Sequence, residues 1–264
     1  KVVEIAPSLL PLELRIKICD SAIQLMKNVK YFNAGTVEFL VSPDEEIYFL
    51  EVNPRIQVEH TITELITGID IVQSQILIAE GHSLQSEEMG IPAQEKILCN
   101  GFAIQCRITT EDPEQNFMPD TGRISVYRSS GGFGIRLDAG NAYAGSVITP
   151  YYDSLLVKAS TWSLSRQSAI AQMRRTLGEF RIRGLKTNIA FLDNVMKHEA
   201  FQKGNCDTTF IDHSPELFVF QPKLDRGSKL VSYLGNVIVN GFPGIPIQEK
   251  PKFATLRVPT LPVA

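Results

Sequence analysis

The hydrophobic positions of this chain repeat in some stretches every two residues and in others every three or four. The switches between those periods mark out its elements. Residues 1–6, KVVEIA, read as a strand. Pro11 then opens a helix in which Leu14, Ile18, Leu25 and Val29 keep helical spacing, with Leu12, Ile16, Ile23 and Met26 beside them. The pattern predicts a well-buried helix ending near Tyr31. Two short apolar runs, Thr36–Val41 and Ile47–Val52, flank the turn-rich SPDEE and predict a β-hairpin. Residues 61–67 fit no single period. Asp70 is placed to cap a helix reaching Ala79, with Gly81 as its stop and His82 in an exposed loop beyond it.

A polar segment, 83–96, carries Gly90 and Pro92 and marks a domain boundary; past it the pattern turns to strands. In Phe102–Thr109, Phe102, Ile104, Cys106 and Ile108 form one face, and Gln105, Arg107 and Thr109 the other. Arg107 in mid-strand is either a surface residue on a half-solvated sheet or an anion holder. SSGGFGIRLD, 129–138, lacks a phosphate-loop pattern and predicts a tight turn between strands. Ala169, Ile170, Met173, Leu177 and Phe180 predict one helix. Thr187 is expected to cap another bearing Ile189, Leu192, Val195 and Met196. Both methionines belong to core stripes, and Arg174, Arg175, Arg181 and Arg183 form a basic cluster expected on a solvated face. Residues 242–264 hold five prolines and read as an extended connector.

The hairpin carries the first chemistry. Glu38 lies six residues before the centre of the turn at Asp44 and Glu51 seven after it, and the hairpin is expected to bring the two opposite each other. Opposed side chains stand roughly 4.5–5.5 Å apart at Cβ, where like charges are destabilising. Two such acids between apolar strands call for a cation; an edge hairpin with both acids in water is the alternative. Asn53 shares the face of Glu51. Two carboxylates and an amide are hard oxygen ligands suited to Mg²⁺ or Mn²⁺, whose remaining positions water and substrate phosphates can fill. Arg55, Gln57, Glu59 and His60 follow, and the alternation of 55–59 lets three polar side chains share a face. An arginine can grip a planar oxyanion bidentately, and a nearby glutamate can act as a base.

Composition adds only bounds. A chain of 264 residues with net charge −3 gives no sign of nucleic-acid or anionic-membrane binding, and no apolar run approaches the length of a membrane span. Cys19, Cys99, Cys106 and Cys206 show no CxxC spacing and read as small buried hydrophobes in a reducing compartment. The chain starts without Met and ends in the proline-rich stretch, so a segment of a longer polypeptide is expected.

ExNPRxQVEH, spanning Glu51–His60 with Glu38 upstream, resembles the biotin carboxylase branch of the ATP-grasp ligases. QCRITTEDP, GGFGIR and PYYDSLLVK resemble the C-terminal domain of the same branch. DTTFID-x-x-PELF and DRGSKLVSYLGNVIVNG, together with RIRG-x-KTN, resemble the wording in which pyruvate carboxylases continue. The resemblance implies an α+β fold: the C-terminal lobe of an ATP-grasp fold over 1–82 and a biotin carboxylase C-terminal domain over 83–205. Both combine antiparallel sheet with helices. A connector and the start of an allosteric and tetramerisation region would follow over 206–264.

It also implies a ligase that carboxylates biotin with bicarbonate and MgATP. Glu38, Glu51 and Asn53 would hold the metal; Arg55, Gln57, the backbone N–H of Val58 and Lys1 would hold bicarbonate; Glu59 would be its base. Arg107 would face the biotin ureido oxygen, with Asp153 near the biotin pocket. Lys1 at the chain end is as readily a solvated lysine. Phe133 and Arg136 would lie at a subunit contact, and Arg183 and Arg226 at a site for the activator acetyl-CoA. The expected partners are a biotin carboxyl carrier and a carboxyltransferase domain in the same polypeptide, within a homo-oligomer that is tetrameric in the resembling family. The expected compartment is cytoplasmic, or the mitochondrial matrix in a eukaryote. The glycine-rich nucleotide lid would lie N-terminal to Lys1, leaving half an active site here. The biotin carboxylase component of an acetyl-, propionyl- or methylcrotonyl-CoA carboxylase, or an idle ATP-grasp assembly module, are the alternatives.

Overall fold

A computed structural model describes residues 2–140, 142–220 and 226–242. Strand β1 (Val3–Ala6) leads into helix α1 (Leu12–Asn28), the hairpin strands β2 (Thr36–Val41) and β3 (Ile47–Asn53), and helices α2 (His60–Thr67) and α3 (Ile71–Ala79). Strand β4 (Phe102–Thr109) follows, then the short strands β5 (Glu111–Asp112), β6 (Met118–Pro119), β7 (Gly122–Arg123) and β8 (Val126–Arg128). After them come β9 (Ile135–Ala139), β10 (Val147–Ile148) and β11 (Leu155–Ser163), helix α4 (Arg166–Glu179), strand β12 (Arg181–Arg183), and helices α5 (Ile189–Lys197) and α6 (Glu199–Lys203). These belong to one compact unit, Lys1–Val219. A second unit, Phe220–Ala264, contributes helix α7 (Arg226–Asn240).

The centre of the larger unit is a four-stranded antiparallel sheet in the order β1-β4-β11-β9. One face is apolar. Ile104, Cys106, Ile108, Val157 and Ala159 are each no more than 1% exposed there, against α4 and α5. Ala169, Ile170, Met173 and Leu177 recur at helical spacing on α4 and are buried, as their periodicity predicts. The opposite face carries Glu4, Gln105, Arg107, Lys158 and Ser160, and α2 lies over it. The sheet is therefore covered on both sides rather than half-solvated: Gln105 is 0% exposed.

Several elements match the periodicity, and the departures have local causes. Asp70 caps α3 by accepting from the N–H of Gln73 at 2.7 Å. Residues 60–67 form α2, whose apolar side packs with Ala6 and Ala103 through Ile62 and Ile66. Helix α1 is not well buried: Leu14 alone is buried, while Leu12 is 63% and Ile16 51% exposed. Its apolar residues ring the helix instead of forming one stripe, so Ile18, Ile23, Leu25 and Met26 are half-buried while Leu12 and Ile16 stay exposed. The residue at the N-terminus of α5 is Asn188, not Thr187, because the Asn188 side chain is drawn into the sheet. Of the cysteines only Cys106 is buried; Cys19, Cys99 and Cys206 are exposed, and all four are free thiols. His82 is partly covered and lies 3.5 Å from Glu88.

The GGFG stretch is a turn between β8 and β9, as expected. Gly134 sits at φ +71°, where a Cβ would come within 2.5 Å of the Trp162 carbonyl oxygen, so the turn requires glycine. Among the described residues no single helix is long and apolar enough to cross a membrane. The proline-rich residues 243–264 lie outside the described residues.

Candidate active site

Strands β2 and β3 bring Glu38 and Glu51 directly opposite each other, as expected. The route differs from a regular hairpin. Next to the turn Val41 pairs with Ile47 and Phe39 with Phe49, a register that would set Glu38 against Leu50. A bulge between Glu38 and Phe39 takes up that extra residue and restores the pairing of the two acids. Asn53, level with Thr36, donates from Nδ2 to Glu38 Oε1 at 3.3 Å and to Glu51 Oε1 at 2.9 Å. Gln57 Nε2 donates to Glu38 Oε1 at 3.4 Å. Two carboxylates thus converge on one amide, and turning that amide over presents its oxygen instead. Such a donor set fits a hard divalent cation whose other ligands come from water or phosphate. Among the described residues no three His, Cys, Asp or Glu side chains converge on one point.

Residues 54–59 form a loop rather than the alternating strand that would put three polar side chains on one face. Arg55 Nη1 bonds the Ile56 carbonyl at 3.1 Å, Gln57 reaches back to Glu38, and Glu59 stands at the N-terminus of α2. The chain must turn here from hairpin into helix, and each side chain takes its own direction. Glu59 meets Arg107 on β4: Nη2 donates to Oε2 at 3.0 Å. The same guanidinium nitrogen lies 2.5 Å from Glu4 Oε1 on β1, and the three side chains are only 11–21% exposed. Burial pushes the Glu4 carboxyl above its ordinary range, with Arg107 pulling the other way. Two polar atoms at this place, Gln57 Oε1 and Arg107 Nε, are buried with no hydrogen-bond partner among the described residues.

Arg107 is held from its backbone as well. Asn188, 0% exposed, donates from Nδ2 to the Arg107 carbonyl at 2.8 Å and accepts from the Thr109 N–H at 3.0 Å. The sequence reading missed Asn188. Its signal was an uncharged polar residue beside an apolar helix stripe, which a cap explains equally well. Gln105 donates to Glu4 Oε2 at 2.9 Å, and Thr61 on α2 bonds both Gln105 and Ser160. The polar sheet face is a connected network, and it orients the carboxylates around Arg107.

The other expected residues are dispersed. Arg136 is held bidentately by Asp138, with both contacts at 2.9 Å, and its Nη1 meets Glu64 Oε2 at 2.5 Å. Phe133 is 87% exposed, with its ring edge on Trp162. Asp153 is exposed and accepts from the Leu155 N–H at 2.8 Å, a turn contact at the start of β11. Arg183 is exposed on β12. Arg226 begins α7, and its side chain lies outside the described residues, as does Lys1.

Comparison with known proteins follows the same outline. Residues 105–213 match the biotin carboxylase C-terminal domain. Residues 1–87 match the ATP-binding domain of the carbamoyl-phosphate synthase L chain. The chain is 64% identical to the pyruvate carboxylase of Bacillus subtilis (strain 168) over 254 residues, covering 96% of this chain and 22% of that protein. It is 52% identical to mitochondrial pyruvate carboxylase of Homo sapiens over 265 residues, covering 100% and 22%. Among solved structures, Rhizobium etli pyruvate carboxylase with the allosteric activator acetyl coenzyme A superposes with a TM-score of 0.84 at 51% identity, covering 92% of this chain and 24% of that one. The biotin carboxylase domain of Hydrogenobacter thermophilus 2-oxoglutarate carboxylase, in complex with MgADP, ADP and bicarbonate, gives 0.79 at 42% identity, covering 84% and 48%.

Fold, residue set and matches together define the class: this is biotin carboxylase sequence. Within that class the chain is similar to pyruvate carboxylases over nearly its whole length. It spans about a fifth of the length of the curated relatives it matches.

Proposed function

We propose that this chain supplies the bicarbonate and biotin side of a biotin carboxylase site, in a polypeptide that converts pyruvate to oxaloacetate with ATP, bicarbonate and biotin. Residues 1–82 would form the end of the ATP-grasp domain, 83–205 the biotin carboxylase C-terminal domain, and 206–264 the passage to the allosteric region. The observation that carries the reading is the 3.0 Å contact of Glu59 with Arg107, residues 48 positions apart. It joins a candidate base to a candidate oxyanion holder beside the paired acids of the hairpin.

Arg55, the Gln57 side chain, the Val58 N–H and Lys1 would hold bicarbonate. Glu59 would take the bicarbonate proton, so that the freed oxygen bonds the γ-phosphorus of ATP and ADP departs, giving carboxyphosphate. Glu38, Glu51 and Asn53 would hold Mg²⁺ or Mn²⁺, which neutralises charge on the phosphates. Carboxyphosphate then breaks into CO2 and phosphate. Phosphate would take the proton of biotin N1′, and Arg107 would stabilise the negative charge that reaches the ureido oxygen. Enclosing the labile acid from water is the purpose of the buried setting.

Asp153 would border the biotin pocket, and Phe133 with Arg136 would meet a second subunit; an aromatic ring 87% exposed supports that contact. Arg183 and Arg226 would serve the activator acetyl-CoA, which the Rhizobium etli relative binds. Carrier and carboxyltransferase domains of the same polypeptide, and a homo-oligomer, complete the arrangement. The compartment would be cytoplasmic in a bacterium, or mitochondrial as in the name of the human relative.

The test supplies pyruvate, ATP and bicarbonate to the biotinylated full-length protein. Oxaloacetate formation is expected. Bicarbonate-dependent ATP cleavage without oxaloacetate would overturn pyruvate as acceptor and leave biotin carboxylation standing.

A further inference from the structure

On the polar face of the sheet, Lys158 of β11 pairs directly with Arg107 of β4 on one side and with Asp138 of β9 on the other. Opposed side chains on one face stand roughly 4.5–5.5 Å apart at Cβ, so two cations face each other across β4 and β11. The acids that could neutralise Lys158 are engaged elsewhere. Both oxygens of Asp138 accept from Arg136. Glu64 on α2 meets Arg136 through Oε2 and takes the Ile71 N–H on Oε1. Glu4 is committed to Arg107 and Gln105. The Lys158 side chain makes no hydrogen bond or ion pair among the described residues. Its ammonium is partly covered and unpaired, one strand from the guanidinium proposed to face biotin. A half-covered, unpaired lysine costs stability, and a fold that keeps one in a site points to use.

We propose that Lys158 supplies a second positive charge beside Arg107, stabilising the anionic oxygen that forms as biotin loses its ureido proton. The inference rests on the biotin carboxylase reading above. In that step the N1′–H bond breaks, the proton passes to phosphate, and the electron pair spreads onto the ureido oxygen. A fixed cation in a partly desolvated place lowers the energy of that oxygen more than water does. Arg107 holds the oxygen by hydrogen bonds, and Lys158 acts through charge from the next strand. Burial pushes the Lys158 ammonium below the ordinary lysine range, and of the groups facing it Asp138 and Glu64 oppose that shift while Arg136 and Arg107 add to it. Its charge is therefore lost at lower pH than that of a surface lysine, whereas arginine in its place stays charged.

The experiment uses the full-length protein with free biotin, ATP and bicarbonate. For Lys158→Met, kcat for biotin carboxylation is expected to fall about tenfold, with KM for ATP and bicarbonate little changed, because a charge felt mainly in the transition state is lost. Lys158→Arg should restore kcat and carry the alkaline limb of the pH profile to higher pH. A second readout is independent of turnover. After ¹³C-methylation of lysines, the resonance that Lys158→Arg removes should titrate below ordinary lysines and shift on adding free biotin. An unchanged kcat in Lys158→Met, an unmoved alkaline limb in Lys158→Arg, or a Lys158 resonance indifferent to biotin overturns the inference. Wild-type protein without bicarbonate-dependent ATP cleavage overturns the functional reading itself.

Discussion

The hairpin and the central sheet both concentrate charge, but they hold it by different means. In the hairpin, Glu38 and Glu51 are brought together by local pairing within sixteen residues of chain, Glu38 to Asn53, and the strands around them stay open: Tyr48, Phe49 and Leu50 are each about half exposed. In the sheet, Arg107 is fixed by Glu4, Glu59 and Asn188, which come from three distant parts of the chain. Open, like-charged acids suit a ligand that arrives with its own charge and leaves again. A buried guanidinium fixed through both side chain and backbone suits a group that must not move during reaction. The first region is built to receive, the second to hold.

The strongest way to break this contrast is at the loop joining the two regions. Glu59→Gln or Arg55→Ala in the full-length protein should abolish bicarbonate-dependent ATP cleavage, a loss of at least about 10²–10⁴-fold for the base, without unfolding. Activity surviving both changes, with circular dichroism unaltered, would refute their roles. Next comes Asn188→Ala. It strips the partners from the Thr109 N–H and the Arg107 carbonyl, so denaturant titration should read a loss of about 2–4 kcal/mol. Stability within error of wild type would show that the buried amide is not what fixes β4.

The hairpin should respond in the opposite sense. Glu51→Gln removes one of two opposed like charges, so metal-free protein should melt no lower than wild type and slightly higher. The Mn²⁺ concentration for half-maximal ATP cleavage should meanwhile rise at least about tenfold, since even outer-shell partners of metal sites cost that much. A lower melting temperature with unchanged metal dependence would remove the hairpin from the metal site. The smallest effect is at Lys158. Its folded pKa lies below the unfolded one, so the unfolded chain binds more protons between those values. Wild-type stability should then rise with pH through that window, relative to Lys158→Met. The variant should be modestly more stable at neutral pH, and the gap should narrow as pH climbs toward the unfolded lysine value. A gap independent of pH would contradict the desolvated amine.

Much of the local architecture was legible. Period-two and period-3.6 patterns located β4, α4 and the hairpin, and the Asp70 cap was read from one residue, because each depends on neighbours in the chain. Helix α1 misled, since an apolar residue states a preference for burial and not the presence of a covering layer. The alternation of 55–59 misled as well, because period two also occurs in a loop whose side chains diverge.

By itself the sequence determined the hairpin that carries Glu38 and Glu51, the motif that follows them and the class of carboxylase to which it points. These rest on short-range geometry and residue identity. Only the structure decided that a bulge sets Glu38 against Glu51, that Glu59 and Glu4 share Arg107, that Asn188 anchors its strand, and that Lys158 is left unpaired beside it. Those facts depend on which strands become neighbours, and strand order is set by how the whole unit buries its apolar surface. No local stretch of residues contains that information.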